Sequence, residues 1–275
     1  TVTITGYAPE VEQGTEIDVT TEALAVTGYD ATVTNALVID VSTGAIVIIG
    51  YNAEVFAGTT VDASTGSLTV AGYATDVQQG TDIVTSTGAV TVTSLDADID
   101  VTIVISAETG TLVVAGYVAN IAQGTTIQTT AGIITVAGYN ATVLNELLIT
   151  ASLGTVEITG YNAEIFAGTT INVTTSNIVV TGINAEVEQG TELTASIGTL
   201  TVTGFAADVD AGLAVNATTG TVSITGYAAT MSVGTVIAAA TGTVTITGYN
   251  PVVSQSAEVN AGVGTVTVTG LAVDV

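Results

Sequence analysis

Hydrophobic and polar residues alternate along this chain in a 22-residue pattern that repeats from end to end. When each 22-residue unit is numbered from Thr1, repeat positions 2 and 4 are always aliphatic, and mostly Thr, Ala or Val lies between them. Alternation with a period of two predicts a β-strand with one buried face. Val, Ile or Met at position 11 and aliphatic residues at position 17 predict two further strands, over about positions 8–12 and 15–19.

Glycine marks the boundaries between these predicted strands. Thirty of the 31 glycines fall at repeat positions 6, 14 and 22, which predicts three corners in each unit. The 275 residues divide by 22 into 12.5 units, with no insertion between them. We therefore expect an all-β fold, a parallel β-solenoid (β-helix) of about 12.5 coils with three short strands in each. Each strand would pair with its equivalent one coil later, because a single coil cannot bury its own apolar face.

The repeat runs without interruption, so residues 1–275 are predicted to form a single continuous domain. The sequence also has a longer period, since NAEVFAGTT (52–60) recurs as NAEIFAGTT (162–170), five repeat units later. This predicts a super-repeat of five coils. Neither end of the sequence shows a capping element, and we expect an uncapped fragment of a longer protein or filament.

Composition excludes several classes of function. The chain has 25 acidic residues and no Lys, Arg or His, so its net charge is −25, which predicts that it does not bind nucleic acid. Polar residues interrupt every apolar run, so no membrane insertion is expected. No His, Cys or Lys supplies a nucleophile or base, and we expect neither enzymatic activity nor a required cofactor. Carboxylate pairs such as Asp98 with Asp100 keep a hydrolase as an alternative.

Acidic residues concentrate at repeat position 10, which should face solvent. Two runs of three fall in consecutive coils, and stacked carboxylates without basic partners repel one another. Oxygen-preferring cations, Ca²⁺ above all, are their natural partners. The alternative is a solvated acidic face with diffuse counterions. The candidate Ca²⁺ ligands are Glu54, Asp76, Asp98, Glu164, Glu186 and Asp208.

All nine tyrosines occupy repeat position 7, directly after the position-6 glycine. Stacking of coils should place tyrosine over tyrosine along one edge of the solenoid. The favoured interpretation is structural, with each ring covering the core beside the corner, because Leu95 and Ile183 substitute at this position. The alternative is an aromatic ridge that binds a ligand such as a sugar.

The outward positions 1, 3 and 5 of the first strand form a nearly uncharged face, with Glu157 as its one acid. In late copies this face reads Thr-x-Thr-x-Thr, as at Thr243, Thr245 and Thr247. Such a face favours side-by-side association of solenoids. Simple solvent exposure and ice binding are the alternatives.

The segments TITGYAPEV (3–11) and TITGYNPVV (245–253), with TGTVTITG (241–248), resemble GY-x-P-type low-complexity β-repeats of phage virion and tail-fibre proteins and of bacterial surface-fibre proteins. The resemblance covers the whole chain and implies an exposed fibrous role, extracellular or on a virion surface. The expected function is therefore a structural segment of an extracellular fibre, filament or virion stalk that associates with itself, end to end or side by side. The alternative is an adhesin or ice-binding module that uses the Thr-rich face.

Overall fold

The structure, a computed structural model, consists of short β-strands and the bends that join them. It describes residues 2–11, 16–19, 23–33, 38–41, 44–55, 60–63, 67–78, 82–85, 89–100, 104–107, 109, 111–122, 126–129, 131, 133–144, 148–151, 155–165, 170–173, 177–187, 192–195, 199–209, 214–217, 219, 221–231, 236–239, 241, 243–253, 258–260, 262–263 and 265–270. None of these residues is helical, and they include no apolar helix that could cross a membrane. The all-β prediction is confirmed.

The described strands form three parallel ladders, and neighbouring strands in every ladder are offset by one repeat unit, as in the pairing of Val2 with Leu24. The first ladder contains Val2–Thr5, Ala23–Thr27, Ala45–Ile49, Ser67–Ala71, Ala89–Thr93, Thr111–Ala115, Ile133–Ala137, Thr155–Thr159, Asn177–Thr181, Thr199–Val209, Thr221–Met231, Thr243–Thr247 and Thr265–Thr269. The second contains Glu10–Val11, Asp30–Val33, Asn52–Val55, Ala74–Gln78, Asp96–Asp100, Val118–Ala122, Asn140–Leu144, Asn162–Ile165, Asn184–Val187 and Val252–Val253, together with the C-terminal halves of the two long strands. The third contains Glu16–Val19, Val38–Val41, Thr60–Ala63, Asp82–Thr85, Val104–Ala107, Thr126–Thr129, Leu148–Ala151, Thr170–Val173, Glu192–Ala195, Ala214–Ala217, Val236–Ala239 and Glu258–Asn260.

This pattern of pairing confirms the parallel β-solenoid with 22-residue coils. A constant offset means that residues at one repeat position lie above one another along the whole solenoid. Columns of equivalent side chains are therefore separated by one strand spacing, about 4.8 Å.

The first and second ladders meet at repeat positions 6 and 7. Most coils bend there, whereas Thr199–Val209 and Thr221–Met231 each run through as one long strand. Even in these strands the pairing passes from Gly204 with Gly226 to Ala206 with Ala228 and omits the residues between them. Side chains at positions 4 and 9 both face inward, on either side of this junction. The two positions are an odd number of residues apart, and in an unbroken strand such residues face opposite sides.

The core is lined by the aliphatic residues of position 4 and the small residues of position 9, as the alternation predicts. Their side chains are buried in both columns: Val26, Ile48, Val70, Val92, Val114, Val136, Ile158, Val180, Val202, Ile224 and Ile246 at position 4, and Ala31, Ala53, Thr75, Ala97, Ala119, Ala141, Ala163, Ala185, Ala207 and Ala229 at position 9. The side chains at positions 2, 11, 17 and 19 are also predicted to face inward, but they are not among the side chains that the structure describes.

Position 6 is glycine in every coil but the fifth, which has Ser94, because successive coils approach closely there. A Cβ atom at Gly160 would lie 2.7 Å from the carbonyl oxygen of Gly138 in the preceding coil, and one at Gly138 would lie 2.8 Å from the carbonyl oxygen of Gly116. Real Cβ atoms essentially never approach backbone so closely. The position-6 corner is therefore fixed by stacking, while most glycines of positions 14 and 22 lie outside the described residues.

Candidate functional surfaces

The tyrosines of position 7 form a stacked aromatic ladder. Backbone hydrogen bonds set the spacing of this ladder. The amides of Tyr51 and Asn52 both donate to the carbonyl oxygen of Tyr29, at 2.6 and 3.0 Å. The same arrangement recurs in most coils and holds successive rings one strand spacing apart. Ring centroids of neighbours lie 4.7–5.2 Å apart, and their planes are within 8° of parallel.

This aromatic ladder is on the surface, which corrects the expectation that each ring covers the core. The nine tyrosine side chains are between 41 and 77% exposed. The interpretation was wrong because the parity of side chains changes at the bend, where alternation no longer says which way position 7 points. The predicted stacking of tyrosine over tyrosine is confirmed.

Non-aromatic residues divide the aromatic ladder into three blocks. Leu95 separates Tyr73 from Tyr117, and Ile183 separates Tyr161 from Phe205. The stacks are therefore 7–29–51–73, 117–139–161 and 205–227–249. A ring inside a block has both faces against its neighbours, so only its edge and hydroxyl group meet solvent. A sugar-stacking track needs open ring faces, and this arrangement offers them only at the ends of blocks.

The stack perturbs the acid–base behaviour of Tyr29. Partial desolvation between its neighbours is the main cause that raises the pKa of its phenol, with further contributions from the adjacent Tyr51, Tyr7 and Asp30. Each of these causes disfavours the phenolate form. The aromatic ladder is thus most stable with this hydroxyl group protonated.

The six candidate Ca²⁺ ligands lie where the sequence places them, in two runs on adjacent strands of the second ladder. Asp76 pairs in register with Glu54 on one side and Asp98 on the other. The second run has the same arrangement, with Glu186 between Glu164 and Asp208. All six side chains are partly exposed, and one carboxylate oxygen each of Asp76 and Asp208 is shielded from solvent. Like charges at this spacing repel, and partial burial weakens their screening.

The runs do not converge into a chelating cluster. Within the part of the chain that the structure describes, no group of three or more His, Cys, Asp or Glu residues is arranged to hold one metal ion. One flanking contact is an amide, since Nδ2 of Asn120 donates to Oδ1 of Asp98 at 2.9 Å. The arrangement is a line of carboxylates along the solenoid.

A ladder of amide side chains at position 8 was missed by the sequence reasoning. Nδ2 of Asn162 donates to Oδ1 of Asn140 at 2.9 Å, and Nδ2 of Asn184 donates to Oδ1 of Asn162 at 2.8 Å. In the early coils Asn52 donates in the same way to Asp30. The signal was present as a recurrence of Asn or Asp at one repeat position beside the tyrosines. These bonds tie consecutive coils together on the same edge as the aromatic ladder.

A second feature that sequence reasoning missed is a polar pair at the junction of the fourth and fifth coils. Thr75 takes the place of the usual Ala at position 9, and Ser94 takes the place of the usual Gly at position 6. The buried Oγ1 of Thr75 donates to Oγ of Ser94 at 2.9 Å, and Ser94 in turn donates to the carbonyl oxygen of Asp96. The two exceptions to the repeat therefore compensate each other.

The outward face of the first ladder, named the flat face below, consists of the residues at positions 1, 3 and 5, as the alternation predicts. Its residues are partly or largely exposed, with Ile49 and Ile133 among the most exposed aliphatic side chains. Glu157 lies between Thr135 and Val179 in register and accepts a hydrogen bond from Oγ1 of Thr159 at 3.1 Å. One carboxylate on an otherwise uncharged face contrasts with the strongly acidic second ladder.

Comparisons with protein-family models, with curated proteins and with solved structures find no match to this chain.

Proposed function

We propose that this chain is a rigid, non-catalytic segment of an extracellular fibre, filament or virion stalk. The observation that carries the proposal is the constant offset of one repeat unit in all three ladders, without any inserted loop. An enzyme or a receptor usually builds its site on loops that a scaffold positions. A solenoid with no insertions instead gives a uniform rod, about 60 Å long for 12.5 coils at one strand spacing per coil.

The ladders also support continuation of the rod. The first and last described strands of the first ladder have nearly the same sequence, VTIT (2–5) and TVTVT (265–269). The amide of Gly248 donates to the carbonyl oxygen of Thr269 in the next coil, so position-6 amides point along the solenoid in the chain direction. Alternate residues of a parallel strand share this direction, which gives the amide of Val268 the same orientation. Another coil, from the same polypeptide or a second copy, would accept that hydrogen bond.

Lateral association is the second part of the proposal, and it uses the flat face of the first ladder. With strands of about five residues, this face measures roughly 60 by 16 Å, about 1,000 Å² on each rod. Two such faces together would bury about 2,000 Å², comparable to a stable interface. A face whose one charged residue is Glu157 allows this contact even though each chain carries a net charge of −25.

Negative-stain electron microscopy of the purified chain and of two variants tests the proposal. Val268→Pro removes the amide that points along the solenoid toward the next coil. This substitution should shorten the filaments, because the next coil loses a hydrogen-bond donor. Val268→Ala trims the same side chain, keeps the amide and is the matched control. Filament width in the same images reports lateral association. Isolated short rods in the unmodified protein would refute self-association, and monomeric rods that halt ice growth would favour the ice-binding alternative.

A further inference from the structure

We propose that the aromatic ladder is a site of oxidative cross-linking, in which tyrosines of successive coils become joined as dityrosine. This inference rests on the geometry of position 7 and is independent of the proposed fibre function. Its co-reactant is a one-electron oxidant, such as hydrogen peroxide acting through a haem peroxidase.

Six tyrosine pairs have the required proximity. Their ring centroids are 4.7–5.2 Å apart, in the pairs 7–29, 29–51, 51–73, 117–139, 139–161 and 227–249. The rings are parallel and in register, so each ring carbon beside the hydroxyl-bearing carbon lies near its equivalent on the next ring. Every side chain is more than 40% exposed, which leaves room on the solvent side for the rings to turn toward each other.

The chemistry balances with the oxidant named. Each phenol loses one electron and one proton to become a phenoxyl radical, whose unpaired electron is shared with the ring carbons adjacent to the C–O carbon. Two radicals couple through these carbons to form one C–C bond, and the two hydrogens on those carbons move to the oxygens, which restores both phenols. Two electrons and two protons leave in total, and one hydrogen peroxide takes them up to become two waters.

The composition directs oxidation to this ladder. The chain has no Cys, Trp or His and a single Met, so the nine tyrosines are the main oxidisable side chains. A radical on one ring has its partner held beside it, which raises the effective concentration far above that of tyrosines on other molecules. Coupling within one solenoid should therefore dominate in dilute solution.

The breaks in the aromatic ladder make the proposal specific. Tyr73 and Tyr117 are two coils apart with Leu95 between them, so they should not couple. Phe205 has no hydroxyl group and cannot form a phenoxyl radical, so Tyr227 should couple only with Tyr249. With one link per ring, the block of four tyrosines holds two links, and the block of three and the remaining pair hold one each.

The test treats dilute protein with a haem peroxidase and hydrogen peroxide and follows dityrosine fluorescence. Proteolysis of the denatured product with elastase, which cleaves after the small aliphatic residues that separate every pair of tyrosines, and mass spectrometry then identify the linked peptides. We expect a product that remains monomeric on a denaturing gel, with links only between tyrosines of adjacent coils. Absence of dityrosine, links mainly between molecules, or a Tyr73–Tyr117 link would overturn the proposal.

Two variants sharpen the test. Tyr139→Phe keeps the ring stack but removes both couplings of the middle block, so the fluorescence yield should fall by about a quarter, one link of four. Leu95→Tyr fills the break and should add links to Tyr73 or Tyr117. Unchanged circular dichroism establishes that both variants keep the fold, so an unaltered pattern of links in both would also overturn the proposal.

Discussion

At the scale of single residues, the Gly-Tyr pair has two separable roles. The glycine of position 6 leaves room for the carbonyl oxygen of the preceding coil, whereas the tyrosine of position 7 lies on the surface against its neighbours. Its replacement by Leu95 or Ile183 is tolerated because neither the core nor the backbone pairing depends on the ring. Close packing explains why one residue of the pair is almost invariant along the chain and the other varies.

Substitution of Gly160 tests the role of position 6. Gly160→Ala should lower the free energy of unfolding by about 1–3 kcal/mol, because the added Cβ forces apart coils that are already in contact. Gly6→Ala is the matched control, since the nearest atom to its Cβ would be Pro9 N at 3.9 Å. Thermal unfolding of both variants measures the difference, and equal effects would contradict the stacking argument.

The raised pKa of Tyr29 predicts a loss of stability at alkaline pH. Below its ordinary pKa of 10.0 this phenol is protonated in both the folded and the unfolded chain, and its contribution is fully present. As the pH rises from there through the raised folded pKa, the unfolded chain loses the proton first, and the folded state is destabilised. Tyr29→Phe should therefore lose less stability than the unmodified protein between pH 9 and pH 12 in thermal melts. Identical pH profiles would show that the stack does not affect this ionisation.

At the scale of strands and coils, the solenoid tolerates an exception when a neighbouring coil compensates for it. Ser94 departs from the position-6 rule, and Thr75, one coil earlier, supplies its hydrogen-bond donor. The two residues are distant in sequence yet in contact, because position 6 of one coil lies beside position 9 of the coil before. The same proximity appears at Gly28, whose Cβ would collide with the ring of Pro9.

This pairing predicts a coupled mutational effect. Ser94→Gly alone restores the common residue but leaves the buried Thr75 hydroxyl without its acceptor, which should cost about 1–3 kcal/mol. Adding Thr75→Ala removes that hydroxyl and matches the other coils, so the double variant should recover most of the loss. A double-mutant cycle of unfolding free energies measures the coupling. Additive effects of the two substitutions would contradict it.

At the scale of the whole molecule, charge is distributed unevenly around the solenoid. Carboxylates line the second ladder, while the flat face of the first ladder has only Glu157. No basic residue offsets the repulsion between these carboxylates. Folding therefore brings like charges closer together than they are in the unfolded chain. The five-coil super-repeat stays a prediction from the sequence.

We expect Ca²⁺ to stabilise the folded rod. Cations that bridge position-10 carboxylates bind the folded state better than the unfolded chain, and at about five times Kd this is worth about 1 kcal/mol. Thermal melts in Ca²⁺ and in chelator, at matched ionic strength, measure the effect. Glu186→Gln, in the middle of one run, should reduce it.

Glu157→Gln is the matched control for that prediction, because it removes the same charge from the flat face. It should leave the response to Ca²⁺ unchanged. If Ca²⁺ has no effect at matched ionic strength, only general screening acts on these carboxylates.

The sequence by itself determined the period, the strands, the position-6 corner, the inward faces at positions 4 and 9 and the alignment of the acidic runs. It could do so because a constant repeat converts sequence position into spatial adjacency, and period-two alternation assigns the faces of a regular strand. Only the tertiary structure decided that Tyr29 and its equivalents face solvent, that Asn140, Asn162 and Asn184 bond in a row, and that Thr75 meets Ser94. These features depend on side-chain direction at a bend and on contacts between different repeat positions, where alternation carries no information.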